Sequence, residues 1–138
     1  MIKLYINSRD ELNILPLEQI LFCQADDNYT KITYVSGHQV MLHLSLTKLE
    51  ELIRVVWPKS QPSPFYRLGR GAVINQRYVI GINLVRQRLY ISSFRDKVYT
   101  LGASKAVLKN YRDLLTKAMN GKREADNADG KEAATHGK

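Results

Sequence analysis

Short runs rich in Ile, Val, Thr and Tyr follow one another at intervals too short for crossover helices, and this pattern confines the chain to antiparallel β structure. The runs are Ile2–Ile6, Ile20–Ala25, Tyr29–Ser36, Gln39–Leu44, Tyr78–Asn83, Arg88–Ser93 and Lys97–Leu101. Within Tyr29–Val35 the residues alternate, Lys31 and Thr33 opposing Ile32 and Tyr34. Ser36-Gly37-His38 supplies a turn into Gln39–Leu44, whose Val40, Leu42 and Leu44 share a face. Glycine there admits the positive φ of a tight hairpin. A second hairpin is expected at Phe94-Arg95-Asp96.

Two segments have helical periodicity. Ser45 or Thr47 caps the first, Thr47 with Glu50 as a capping box, and Leu46, Leu49, Leu52 and Ile53 make its apolar stripe until Pro58 stops it. Ser104 caps the second, whose apolar face is Leu108, Tyr111, Leu115 and Ala118, with Gly121 beyond its end. Between the two helices, Pro58, Pro62 and Pro64 mark a stiff surface connection. With 138 residues the chain has room for one domain, expected over residues 1–118. From Asn120 onward no large apolar residue occurs, and residues 119–138 are expected to be a disordered polar tail.

Charge divides unevenly along the chain. The formal net charge is +8, yet residues 1–64 carry −1 and residues 118–138 are neutral. Residues 65–117 hold eleven basic and two acidic residues, so the whole excess lies in one block interrupted throughout by apolar runs. A folded surface that is basic on one side suits a polyanion, nucleic acid first. The bland alternative is a set of charges that only solubilises a small domain.

Other chemistry is poorly supported. His38, His43 and His136 are scattered, and no GxSxG, HExxH or phosphate-loop pattern occurs, so an enzyme is not expected. No metal site and no cofactor are expected. Cys23, the single cysteine, sits mid-strand and reads as a buried thiol. No apolar run approaches a membrane span and no signal-peptide core opens the chain, which makes a cytoplasmic protein the expectation, with no membrane partner.

Four segments carry a family resemblance: ILFCQADDNYTKI, LSLTKLEELI, FYRLGRGAVINQRYVIGI and VYTLGASKAVLKNYRDLL. In order and spacing they resemble the LytTR domain, the DNA-binding output module of bacterial LytR/AlgR-type response regulators, from about Ile2 to Leu115. The resemblance implies a mainly β fold, an elongated stack of short antiparallel sheets with one or two short helices. It also implies a double-stranded DNA-binding transcriptional regulator that inserts sheet-edge loops into successive major grooves at promoter direct repeats, with self-association on the DNA.

Carried over by position, three loops would face DNA. One is the hairpin after Asp26-Asp27-Asn28, with Tyr29, Thr30 and Lys31; one is Arg70, flanked by Arg67; one is Ser104-Lys105. Thr30, Arg70 and Lys105 are the candidates for base readout, Arg70 because its planar fork matches guanine O6 and N7. Tyr29, Lys31, Arg67, Arg77, Ser104 and Lys109 are the candidates for backbone contacts. Plainer readings stand beside these: Ser104 as a helix cap, Asn75 as a loop brace, Tyr29 as a packing residue, Arg70 and Lys105 as ordinary surface cations.

Where the family commonly has H-R-S this chain has Gly69-Arg70-Gly71, which removes two hydrogen-bonding side chains, and Lys105 stands where arginine is frequent. These departures raise a rival expectation: a protein-interaction or nonspecific nucleic-acid-binding module that keeps the fold without sequence readout. Asp26-Asp27 read as a water-facing turn, since no receiver-type sheet surrounds them. The domain is expected to stand alone without a receiver, taking its input from elsewhere: protein level, a sensor or regulatory partner, or the tail.

Overall fold

The computed structural model describes residues 1–95 and 97–126, with side chains as far as Met119. Ten strands form three antiparallel sheets. β1 (Lys3–Asn7) pairs with β2 (Leu12–Pro16). β3 (Ile20–Asp26), β4 (Tyr29–Tyr34), β5 (Gln39–Leu42), β6 (Phe65–Leu68) and β7 (Ala72–Asn75) form a central sheet in the order β5-β4-β3-β7-β6. β8 (Val79–Asn83), β9 (Arg88–Ser92) and β10 (Val98–Gly102) form the third, in the order β10-β9-β8. Helix α1 spans Leu46–Val56 and α2 spans Lys105–Asp126.

The central sheet is covered on both faces. Ile20, Cys23, Ile32 and Val73 pack on one side with Leu4 and Leu15 of the first hairpin and with Leu46, Leu49 and Ile53 of α1. Phe22, Leu68 and Ile74 pack on the other with Leu89 and Ile91 of β9 and with Leu108 and Tyr111 of α2. β3 serves both cores because both its faces are covered, and its register with β4 shifts between Ile20 and Phe22. The irregularity puts the adjacent Leu21 and Phe22 in one core, between Ile20 and Cys23 of the other, where a regular strand alternates sides. Thus the fold is mainly β, three short sheets stacked about two cores, with two helices.

Turn chemistry explains the connections. Asp27 holds φ at 55° in the two-residue β3–β4 turn, a conformation Asp tolerates better than most residues. Gly37, at φ 92°, closes β4–β5 at the expected place. α1 is capped by Ser45, whose Oγ accepts from the Lys48 N–H at 3.1 Å. The alternative Thr47–Glu50 capping box is not formed, because the helix begins at Leu46 and Thr47 lies inside it; both side chains meet Arg67 instead. The β9–β10 hairpin runs through Phe94 and Arg95 as expected, and Asp96 lies outside the described residues.

α2 does not stop at Gly121. It continues to Asp126 through Ala, Lys, Arg and Glu, which are strong helix formers even where no apolar face calls for burial. The remainder of the expected tail, residues 127–138, lies outside the described residues. Among the described residues no helix is long and apolar enough to cross a membrane.

Candidate nucleic-acid interface

The loop most distinctive in sequence is a three-residue hairpin turn, Gly69-Arg70-Gly71, between β6 and β7. Its shape is imposed from outside. The Arg67 guanidinium donates from Nε to the Gly69 carbonyl at 2.8 Å and from Nη2 to the Arg70 carbonyl at 3.2 Å. Nη1 donates to Glu50 Oε1 at 3.0 Å and to Thr47 Oγ1 at 3.2 Å, both on α1. One side chain therefore ties the loop to the helix. Gly69 has φ +63°, and a Cβ there would lie 3.3 Å from Val107 of α2. Both facts favour glycine. Gly71 has open space around it, and its carbonyl accepts from the Ala25 N–H at 2.9 Å, which fastens the loop to the end of β3.

Arg70 is exposed at the tip, and among the described residues its guanidinium forms no hydrogen bond within the chain. Beneath it a 560 Å³ cleft is lined by Gln24 and Ala25 of β3, the Gly69–Gly71 loop, and Leu101 to Ser104 at the end of the third sheet. Two sheets far apart in sequence thus present their loop ends to one opening. On its far side Ser104 Oγ accepts from the Val107 N–H at 3.2 Å and caps α2. Exposed Lys105 begins the helix at the cleft rim, and Lys109 stands one turn on.

Two further arginines belong here, and neither was singled out from sequence. The β8–β9 turn is closed by Asn83 Oδ1 accepting from the Arg86 N–H at 2.9 Å, and Gln87 takes φ 55°. The Gln87 carbonyl receives the Ala103 N–H at 3.4 Å, one residue before the α2 cap. Arg88 pairs with Gly102 across β9–β10, and its Nη1 donates to the Arg86 and Gln87 carbonyls at 3.2 and 3.1 Å. Arg86 and Arg88 are exposed beside the Ser104 edge. The one available signal was Asn83 three residues before an arginine, a side-chain-closed turn in the middle of the basic block.

The structure sets three of the expected contact residues apart from this cleft. Thr30 is fully buried, and its hydroxyl donates to the Leu44 carbonyl at 2.8 Å, so it cannot reach a base edge. Arg67 is the internal brace just described, its donors committed to protein acceptors. Arg77 lies beyond the opposite end of β7, with its guanidinium 6.0 Å from the Trp57 ring centroid.

The others keep an accessible position. Tyr29 is 43% exposed and stacks on His43 across the strands, ring centroids 4.8 Å apart, so packing and contact are compatible. Lys31 pairs across β3–β4 with Gln24, a residue of the cleft wall. Lys109 Nζ and Arg112 flank the Asp113 carboxylate at 3.3 and 3.2 Å on exposed helix surface. Hydrogen bonding from Arg112 and then Lys109 holds the Asp113 carboxyl below its usual range. Such exposed pairs are weak and exchange readily for a phosphate. Asn75 is buried; its Nδ2 donates to the Ile20 carbonyl at 2.9 Å and its Oδ1 accepts from the Arg77 N–H, which is the bracing role.

Among the described residues no cluster of His, Cys, Asp and Glu could hold a metal ion. Cys23 is buried, and burial pushes its thiol up to about 12. A thiol so placed is a packing group, not a nucleophile.

The profile of the LytTr DNA-binding domain family matches residues 10–116. A similar solved structure is the LytTr DNA-binding domain of a methyl-accepting/DNA response regulator from Bacillus cereus, with a TM-score of 0.56 and 18% sequence identity. The match covers 83% of this chain and 97% of that one. No curated protein matches the sequence.

Proposed function

The chain belongs to the LytTR DNA-binding domain family, and from that premise we propose that it is a sequence-specific transcriptional regulator of the bacterial cytoplasm. The family is one of DNA-binding, not catalytic, domains. The observation that carries the reading is convergence: Arg70 of the central sheet lines one cleft with the Leu101–Ser104 end of the third sheet, exposed Lys105 follows Ser104 at the start of α2, and Arg86 and Arg88 line a separate pocket on the third sheet, where Arg88 pairs with Gly102 of the cleft wall. A β scaffold that holds exposed cations at the ends of hairpins can present them to the phosphate-lined groove of a duplex without a recognition helix.

Roles separate by geometry. Arg70, unpaired at the tip of a braced loop, reads guanine O6 and N7 in the major groove. Lys105 reaches a base edge or phosphate from the helix start. Tyr29, Lys31, Ser104, Lys109, Arg86 and Arg88 contact the backbone and set register. Direct-repeat promoter sites filled by successive copies, and a regulatory partner supplying the input, complete the proposal.

A random duplex library retained on the purified protein at near-physiological salt tests it. Enrichment of a short motif, repeated at about one helical turn, is expected. Retention without enrichment leaves a nonspecific binder, and no retention leaves a protein-interaction module. If about five phosphates are neutralised, log K falls against log salt with a slope near −4.5. Arg70→Ala should cost about 1–3 kcal/mol on the selected motif and relax one base position, whereas Lys109→Ala should weaken all duplexes alike. Identical behaviour of the two variants on every sequence would refute base reading by Arg70.

A further inference from the structure

Near the end of β3, Gln24 stands in the cleft wall that also holds Arg70. Counting by twos from Phe22 puts it on the face of the central sheet that looks towards α2 and the third sheet. The register agrees. Gln24 lies opposite Ala72, and Ala72 opposite Leu68; both belong to the core on that face, and both line the cleft. Gln24 is half-buried, and among the described residues its amide meets no hydrogen-bond partner within the chain. The one buried side-chain nitrogen or oxygen without a partner among those residues is Trp57 Nε1, so the Gln24 amide stays open to solvent. Its surroundings leave it standing clear. Of the residues that line the cleft, only Gln24, Arg70 and Ser104 carry a side-chain hydrogen-bonding group, and the Ser104 hydroxyl caps α2. Much of the remaining wall is cut down to Ala25, Gly69, Gly71, Ala72, Gly102 and Ala103, and a Cβ at Gly71 would meet nothing within 4 Å. A long amide among glycines and alanines reaches past them, and such small residues let another molecule approach closely.

We propose that Gln24 is a second base-reading residue, recognising the adenine of an A·T pair beside the guanine read by Arg70. The assignment rests on the sequence-specific duplex binding proposed for this cleft. In the major groove adenine offers N7 as an acceptor and N6 as a donor, and a glutamine amide, donor and acceptor together, answers both at once. A phosphate offers acceptors only, which would leave the amide oxygen unused, and the neighbouring cations suit it better. The thymine of the same pair carries a C5-methyl group, for which the alanines of the wall supply apolar contact.

Selections from a random duplex library with the wild type, Arg70→Ala, Gln24→Ala and Gln24→Glu test it, followed by affinities for the selected duplex and each of its single-base-pair variants. Thermal melts matching the wild type show each fold intact. Expected is an A·T pair beside the G·C pair that Arg70→Ala relaxes. Gln24→Ala should relax that A·T position alone, lowering its discrimination against the other pairs about tenfold. Gln24→Glu keeps the size of the side chain but only accepts, so preference at the same position should move to cytosine, whose N4 donates. A Gln24→Ala protein that keeps every base preference, or that weakens all duplexes alike as loss of a backbone contact would, overturns the assignment while sequence-specific binding stands. A Gln24→Glu protein that still selects adenine overturns it as well. A wild type that enriches no motif overturns both the assignment and the reading on which it rests.

Discussion

Replacing Arg67 by methionine separates two roles that an arginine in a basic segment can play. The substitution keeps the aliphatic stem and deletes the guanidinium. Lost with it are the bonds to the Gly69 and Arg70 carbonyls and those to Glu50 and Thr47. A hydrogen bond from a charged donor contributes about 1.5–3 kcal/mol when sheltered. The Arg67 and Glu50 side chains are each 26% exposed, so the ion pair between them falls at the lower end. Together the four contacts give an expected loss of about 2–4 kcal/mol, read from urea denaturation midpoints at constant m.

DNA affinity should fall too, because Arg70 sits on the loop that Arg67 holds. Yet the slope of log K against log salt should stay where it was, since no phosphate contact has been removed. A backbone-contacting arginine would do the reverse, leaving stability alone and lowering the slope by about 0.9. Unchanged stability with that reduced slope would refute the bracing role.

Three further outcomes are expected. Gly69→Ala should destabilise by about 1–2 kcal/mol through its left-handed φ and the Val107 contact, whereas Gly71→Ala, in open space, should stabilise by about 0.4–1 kcal/mol; thermal melts that rank the two in the opposite order would contradict the loop geometry. Thr30→Val leaves the Leu44 carbonyl without its donor and should cost about 1–3 kcal/mol of stability, with DNA affinity of the folded fraction unchanged. Burial pushes Cys23, Tyr34 and Tyr111 up to about 12 from usual values of 9.0 for the thiol and 10.0 for the phenols, with the Cys23 thiol a further influence on Tyr34 and Tyr66 on Tyr111. The unfolded chain therefore releases these protons first, so stability holds below about pH 9 and declines as pH rises towards 12; equal urea midpoints at pH 7 and pH 11 would count against it.

Much of the fold was legible because one-sided burial leaves alternation behind. The first half of β4 and β5 show it, though Thr33 in β4 is buried with its neighbours Ile32 and Tyr34, and α1 shows its helical counterpart in Leu46, Leu49 and Ile53. β7 shows nothing, since all four of its residues are buried between two cores and it comes after a glycine-flanked turn. β2 was hidden by its terminal Pro16 and by Leu12 and Ile14, which are exposed on the outer face of a two-stranded sheet. Thr30 could have been placed correctly: counting by twos from Ile32 puts it on the core face.

Arg67 could not. Its partners lie 17 and 20 residues upstream on a helix, and nothing local announces that contact. For the same reason Arg86 and Arg88 were just part of a basic block until the β8–β9 turn was seen beside the start of α2.

The external brace on the Gly69–Gly71 turn bears on how such a protein changes its target. A loop that keeps its own shape through its own side chains has few positions free to mutate. Here the holding residue lies at 67, in the strand, and Gly71 adopts no special backbone angle and faces nothing within 4 Å. Position 71 is therefore a vacant socket next to Arg70, where serine, asparagine or histidine could be introduced with the frame undisturbed. Drift at this one position offers a lineage a route to new operators with no intermediate that fails to fold.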